Sequence, residues 1–172
     1  MVNNMELRGF ITNLGKYNEG ELIGEWITFP IDEEELQEVL ERIGINEEYE
    51  EFFFTDYENN LLGLGEYESI GHINEIAEEL EDIDEDDEII DAILEEFNED
   101  EAIEILKDRD FIVYYDCNDM EDVAIEYAEQ TGLLHGIPEN IARYFDFEAL
   151  GRDMDIEGYF IEFSNGYIQI IR

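Results

Sequence analysis

Asp82, Asp84 and Asp86 alternate as the first ligands of a calcium loop do, and carboxylates at that spacing hold a hard cation through oxygen. Asp87 then stands where the sharp turn needs glycine, and Ile93 where a bidentate glutamate closes the site, so the pattern supports only loose cation condensation. Gly63-Leu64-Gly65-Glu66-Tyr67-Glu68 begins like a dinucleotide loop but puts Glu68 at the third glycine, in a region too acidic to receive a pyrophosphate. Gly15-Lys16 lacks the upstream glycine of a phosphate loop, where Phe10 stands, and has Tyr17 in place of the hydroxyl that holds magnesium; it reads as a hairpin loop. His72 and His135 lie far apart and, with the single Cys117, make neither a zinc ligand set nor a disulfide. Cys117 reads as a small buried group beside a helix start, and fifty carboxylates make every acid pair spacing available, so no spacing is informative. The reading is a protein with no catalytic residue, no metal and no cofactor.

What remains is the charge itself. The 172 residues carry 50 Asp and Glu against 8 Lys and Arg, a net charge of −42. A nucleic-acid binder needs a cationic footprint and an anionic leaflet attracts bases, so neither partner fits. No stretch approaches a membrane span and the first ten residues hold no signal-like apolar core, which points to a soluble, cytoplasmic protein. Eleven Phe, ten Tyr and one Trp are more aromatic surface than a disordered acidic tail carries, so the chain is expected to fold. The acid is also unevenly spread: residues 1–42 hold 10 acids and 3 bases, 43–106 hold 25 and none, and 107–172 hold 15 and 5. Half the negative charge has no local counterpart, which opposes compactness by self-repulsion.

The apolar pattern shows which elements present that charge. Residues 7–13 and 22–29 read as paired strands around a turn at 15–20. Asp32 with Glu35 signals a capped helix through Leu36, Val39, Leu40 and Ile43, ended by Gly44, and residues 51–57 return as a third strand against it. Ser69 caps a helix with Ile70, Ile73, Ala77 and Leu80 on one face; Asp84 is expected to cap a second through Ile89, Ile90, Ile93, Leu94 and Phe97; Asn98 with Glu101 opens a third. With those faces inward, Glu75, Glu78, Glu79, Glu81, Asp82, Asp86, Asp87, Glu88, Asp91, Glu95 and Glu96 are pushed mostly outward. Further on come a strand at 111–115, a helix from about 119 to 130 capped by Asn118, a helix at 139–145 with Pro138 in its first turn, and a hairpin of 159–163 and 167–171 around Ser164-Asn165-Gly166.

Carboxylates fixed along helices can stand in for phosphates. Duplex DNA carries one charge per ~1.7 Å, so forty-two net charges match roughly 70 Å of axis, or about 21 base pairs. A halophile's solvated surface would spread its charge evenly, and clustering argues against it. A second reading, from another class, is an acidic chaperone for basic proteins or an inhibitor of another DNA-binding protein, which needs no fixed charge spacing.

The run Asn13-Leu14-Gly15-Lys16-Tyr17-Asn18-Glu19-Gly20-Glu21-Leu22, with Gly24, Trp26, Phe29 and Pro30, closely resembles the N-terminal signature of the ArdA antirestriction proteins. Asp56-Tyr57-Glu58, Ser69-Ile70-Gly71, Asp116-Cys117-Asn118-Asp119-Met120 with Asp122-Val123-Ala124, and Gly151-Arg152-Asp153-Met154-Asp155 resemble further blocks of that family. The resemblance implies an elongated α+β protein of three modules: an N-terminal α+β module at 1–62, an acidic helical module at 63–107 and a C-terminal α+β module at 108–172. It implies a homodimer through the last module that occupies the DNA site of type I restriction-modification enzymes, on their methyltransferase core, in proteins typically carried by mobile elements. It also places an antirestriction motif at 123–133, near the dimer contact, with Val123, Ala124, Tyr127, Glu129, Thr131, Gly132 and Leu133 as its members.

Unneutralised charge predicts a salt effect. Because the Debye length falls from about 30 Å at 0.01 M salt to about 8 Å at 0.15 M, thermal melts should show a midpoint that climbs over that range. A midpoint that stays flat or falls would remove self-repulsion as a governing force.

Overall fold

The structure, a computed structural model, describes residues 6–58 and 60–172. These pack as two compact units, one ending at Asp87 and the other beginning at Glu88, each built on a three-stranded antiparallel sheet. The fold is α+β, as the patterns lead one to expect.

In the first unit the order is β1 (Leu7–Asn13), α1 (Leu14–Asn18), β2 (Gly24–Phe29), α2 (Glu33–Arg42), β3 (Phe52–Glu58) and α3 (Ile70–Glu81). β1 is central, between β2 and β3. Its Leu7, Gly9 and Ile11 alternate inward, as a strand with one face on a core requires. The hairpin loop expected after β1 holds a short helix instead. Asn13 ends the strand with extended backbone and its side-chain oxygen accepts the Lys16 N–H at 3.0 Å, which caps α1. The other end of the same amide donates to the Ile43 carbonyl at 3.1 Å, so one fully buried side chain joins the end of β1, the start of α1 and the close of α2. Asp32 caps α2 by accepting from Glu35, and Ser69 caps α3 by accepting from His72, both at the positions the sequence indicates. Asn74 brings α3 to its unit by exchanging two hydrogen bonds, of 2.9 and 2.8 Å, with the backbone of Ile31.

The second unit contains α4 (Asp87–Glu96), α5 (Glu99–Asp108), β4 (Phe111–Tyr115), α6 (Met120–Thr131), α7 (Glu139–Ala142), α8 (Phe147–Glu157), β5 (Tyr159–Phe163) and β6 (Gly166–Ile170). The strand order is β4-β6-β5, with Ile168 of the central strand fully buried. Register puts Tyr159, Ile161 and Phe163 on the face that also holds Ile168 and Ile170. That face meets α4 and α5: Tyr159 packs on Phe97 with ring centroids 5.5 Å apart, and Arg172 donates to the Glu101 carbonyl at 3.0 Å. Tyr114 and Tyr167 point the other way, toward α6 and α8, where charged neighbours of α6 and Asp155 of α8 lie close enough to act on them. The sheet is thus layered between two helical pairs.

Several local expectations need correction. α4 starts at Asp87, three residues beyond the expected cap Asp84. Asp119, not Asn118, caps α6, accepting from Glu121 and Asp122, because Asn118 is occupied in bonding back to Asp122. α7 covers only 139–142 and Pro138 precedes it as the cap residue, while α8, capped by Asp146, was not anticipated. The hairpin turn is Ser164-Asn165 alone. Gly166 is already paired with Phe163 and lies at φ +144°, where a Cβ would come within 2.0 Å of the Tyr114 carbonyl oxygen. At Gly151 a Cβ would sit 2.2 Å from the Met120 carbonyl oxygen, so α8 crosses the start of α6 at backbone distance.

Asn13→Ala should lower stability by about 2–3 kcal/mol, through loss of a cap worth about 1 and a buried carbonyl left without its donor, read as a shifted denaturant midpoint. A loss below about 0.5 kcal/mol would show that Asn13 does not hold these three elements together.

Candidate functional site

The outward carboxylates stand where helical periodicity sends them. α3 buries Ile73, Ile76, Ala77 and Leu80, and α4 buries Ile89, Ile90, Ile93 and Leu94. Glu75, Glu78, Glu81 and Asp82 on the first, and Asp87, Glu88, Glu95 and Glu96 on the second, are therefore exposed. Glu79, Asp86 and Asp91 are half-buried, and none of the eleven enters a core. α3 belongs to the first unit and α4, from Glu88 on, to the second, so the two helices present most of their acids as parts of different packed bodies.

Glu88 and Glu96 each have a task inside their own unit. Glu96 accepts the Tyr159 hydroxyl, and that bond raises the tyrosine's pKa; Glu88 accepts the Ser164 hydroxyl. Both bonds fasten α4 to the β5–β6 hairpin. α5 is fastened by a base, Arg172, which lies 3.4 Å from Glu101 and 3.5 Å from Glu104. These ties bridge residues more than sixty positions apart, so periodicity could not separate Glu88 and Glu96 from their neighbours.

The 123–133 stretch divides by burial. Val123 and Ala124 are fully buried in α6 and serve its packing, with Tyr127 half-buried beside them. Beyond them Glu129 and Thr131 are exposed, the Thr131 hydroxyl donating to the Tyr127 carbonyl at 2.7 Å. Gly132 closes α6 in left-handed conformation at φ 66°. Leu133 then begins an apolar series that faces out: Leu133 is 46% exposed, Ile141 56% and Tyr144 74%, with Ile137 and Phe145 also exposed. This surface was missed in the sequence, although Ile137, Ile141 and Tyr144 recur at helical spacing, because a series of that kind normally marks a buried face.

Cys117 lines a cleft with Asp116, Asn118, Glu162, Ser164 and Asn165. Burial raises its thiol pKa, and Asp122, Glu126, Asp116 and Asp119 push the same way, which favours the unreactive protonated form. Among the described residues no three His, Cys, Asp or Glu side chains converge as a metal site, and no helix is long and apolar enough to cross a membrane. The Asp122 carboxylate is held below its ordinary pKa by the Asn118 backbone N–H at 2.9 Å and then by the Asn118 amide at 3.0 Å.

Two sheet-based units with carboxylate-bearing helices, and with the hydrogen-bonding side chains of the N-terminal signature turned to capping and packing, define a strongly acidic α+β protein that presents charge. A family model for the antirestriction protein ArdA matches residues 10–169. The chain belongs to the ArdA antirestriction family, which assigns it an antirestriction function and an interaction with restriction-modification enzymes. No curated protein matches it.

The depressed Asp122 pKa sets a sign. Its contribution to stability is complete above the unfolded value and is lost as pH falls through the lower folded value. Asp122→Ala should therefore melt below the native protein at neutral pH, by a margin that narrows in acid below the ordinary carboxylate range. A margin that widens in acid would mean that the Asn118 bonds do not favour the ionised form.

Proposed function

We propose that this protein mimics duplex DNA and competes for the DNA-binding groove of type I restriction-modification enzymes, engaging their methyltransferase core without catalysis. The observation that carries the reading is that all eleven carboxylates on and beside α3 and α4 stay outside the cores, within a stretch of 25 acids and no base. Folded helices hold these charges before binding, so little ordering entropy is lost when a cationic groove closes on them.

A second copy of the chain is the proposed occupant of the apolar series from Leu133 to Phe145. Two copies at −42 each repel, and association needs a patch that is apolar and carries some positive charge. Leu133, Ile137, Ile141 and Tyr144 supply the first, and Arg143, which lies 5.0 Å over the Tyr144 ring, supplies the second. Glu129 and Thr131 border it at the end of α6.

Titrating a type I methyltransferase core with labelled DNA at several salt concentrations tests the mimicry. DNA and protein should exclude one another. The protein's affinity should fall less steeply with salt than that of DNA, whose phosphates release condensed counterions on binding. Exposed ion pairs are each worth about 0.2–1 kcal/mol, so Glu79→Lys, Asp87→Lys or Glu95→Lys alone should weaken inhibition only slightly, and many such changes together should abolish it. A ternary complex of undiminished affinity, a hundredfold loss from one reversal, or equal binding to a histone-like protein would defeat this reading, the last in favour of an acidic chaperone.

A further inference from the structure

Residues 60–68, which include the stretch that fails as a nucleotide loop, are held in one shape by hydrogen bonds among themselves and to β3. Asn60 clamps them: its side-chain oxygen accepts the Leu64 N–H at 2.8 Å and its amide donates to the Leu64 carbonyl at 3.0 Å. The Tyr57 hydroxyl donates to the Gly65 carbonyl at 2.9 Å, and the Phe54 N–H donates to the Glu66 carbonyl at 2.7 Å. Leu64 is buried beneath. These ties fix the residue that follows.

Tyr67 lies on Phe53 with ring centroids 5.8 Å apart and planes 25° from parallel, yet it is 71% exposed. Tyr17 meets Phe53 edge-on at 5.1 Å and is half exposed, which widens the aromatic surface. Leu64 explains the loop's own burial, but a ring covered on one face only contributes little to the core, so burial does not explain the placement of Tyr67. The outer face of a ring carries negative potential that attracts cations, and Glu66 and Glu68 flank Tyr67 in sequence. The unit already uses this combination internally. Lys16 stands 4.4 Å over Tyr49 while bonding Glu19 at 3.0 Å, and Arg8 stands 5.6 Å over Trp26 while bonding Glu58 at 2.7 Å. Among the ring–cation contacts of the described residues, none uses Tyr67.

We propose that Tyr67 docks a lysine or arginine side chain from the DNA-binding surface of the restriction-modification enzyme, a contact that rests on the mimicry reading and sharpens it. The carboxylates share the binding and are individually dispensable. Tyr67 is a fixed aromatic anchor of the kind that concentrates binding free energy in one residue.

DNA displacement from a type I methyltransferase core, with the full-length protein, separates the possibilities. Tyr67→Ala should weaken displacement by about tenfold, Tyr67→Phe should keep it because the ring face remains, and Tyr67→Leu should lose it despite a comparable apolar bulk. The salt slope of Tyr67→Ala should match the native one, since no charge is removed. Circular dichroism and thermal melts should show each variant folded. Native displacement that Tyr67→Ala leaves intact overturns this proposal alone, whereas a native protein that displaces no DNA defeats the mimicry and this proposal together. Retention by Tyr67→Leu would overturn recognition of a cation in favour of simple apolar contact. A changed oligomeric state with unchanged enzyme affinity would make a second copy the occupant.

Discussion

Carboxylates crowded on one small surface repel, and water and salt weaken that repulsion without cancelling it. A helix can carry such a skin only if its opposite face is buried deeply enough to hold it in place. α3 and α4 meet the condition with four buried apolar residues each, and α5 with Ala102, Ile103, Ile105 and Leu106. Isoleucine and leucine supply most of this burial, and their side chains leave no polar atom to satisfy. The acid on the outside and the aliphatic core on the inside are two sides of one requirement.

A chain with so few bases must use them sparingly. Arg8 pairs with Glu58, Lys16 with Glu19, Arg42 with Glu25, and Arg172 with Glu101 and Glu104. Each joins elements or steadies a turn; Lys16 and Arg42 pair outside the base-free stretch, and Arg8 and Arg172 reach only Glu58, Glu101 and Glu104 near its two ends. Elsewhere neutral donors hold carboxylates: Tyr159 on Glu96, Ser164 on Glu88, Tyr49 on Glu19 and Asn118 on Asp122. A hydroxyl or amide secures an acid while leaving its charge in place. The protein thereby gains tertiary links without giving up negative potential.

The blocks that carry the family likeness hold much of the scaffold. Asn13 is a buried junction, Gly151 lets two helices touch at backbone distance, and Val123 and Ala124 fill a core. Such positions accept few alternatives, because a wrong side chain leaves a buried group unpaired or drives one backbone into another. A surface that acts by charge density is under a weaker constraint, since Asp and Glu serve alike and neighbours substitute for one another.

From the sequence alone came the excess and clustering of acid, the apolar periods, the caps Asp32, Ser69 and Asn98, and the outward direction of the eleven carboxylates. All of these follow from residues within one or two turns of each other, where backbone geometry is local. Tertiary structure decided which carboxylates are tied inward, why Gly151 and Gly166 admit no side chain, and that Leu133, Ile141 and Tyr144 face out. It also decided that a loop shaped by Asn60, Tyr57 and Phe54 would present Tyr67 on Phe53. Glu88 and Glu95 look alike in the chain, and only one of them meets a serine seventy-six residues away, a distance at which spacing along a helix carries no information.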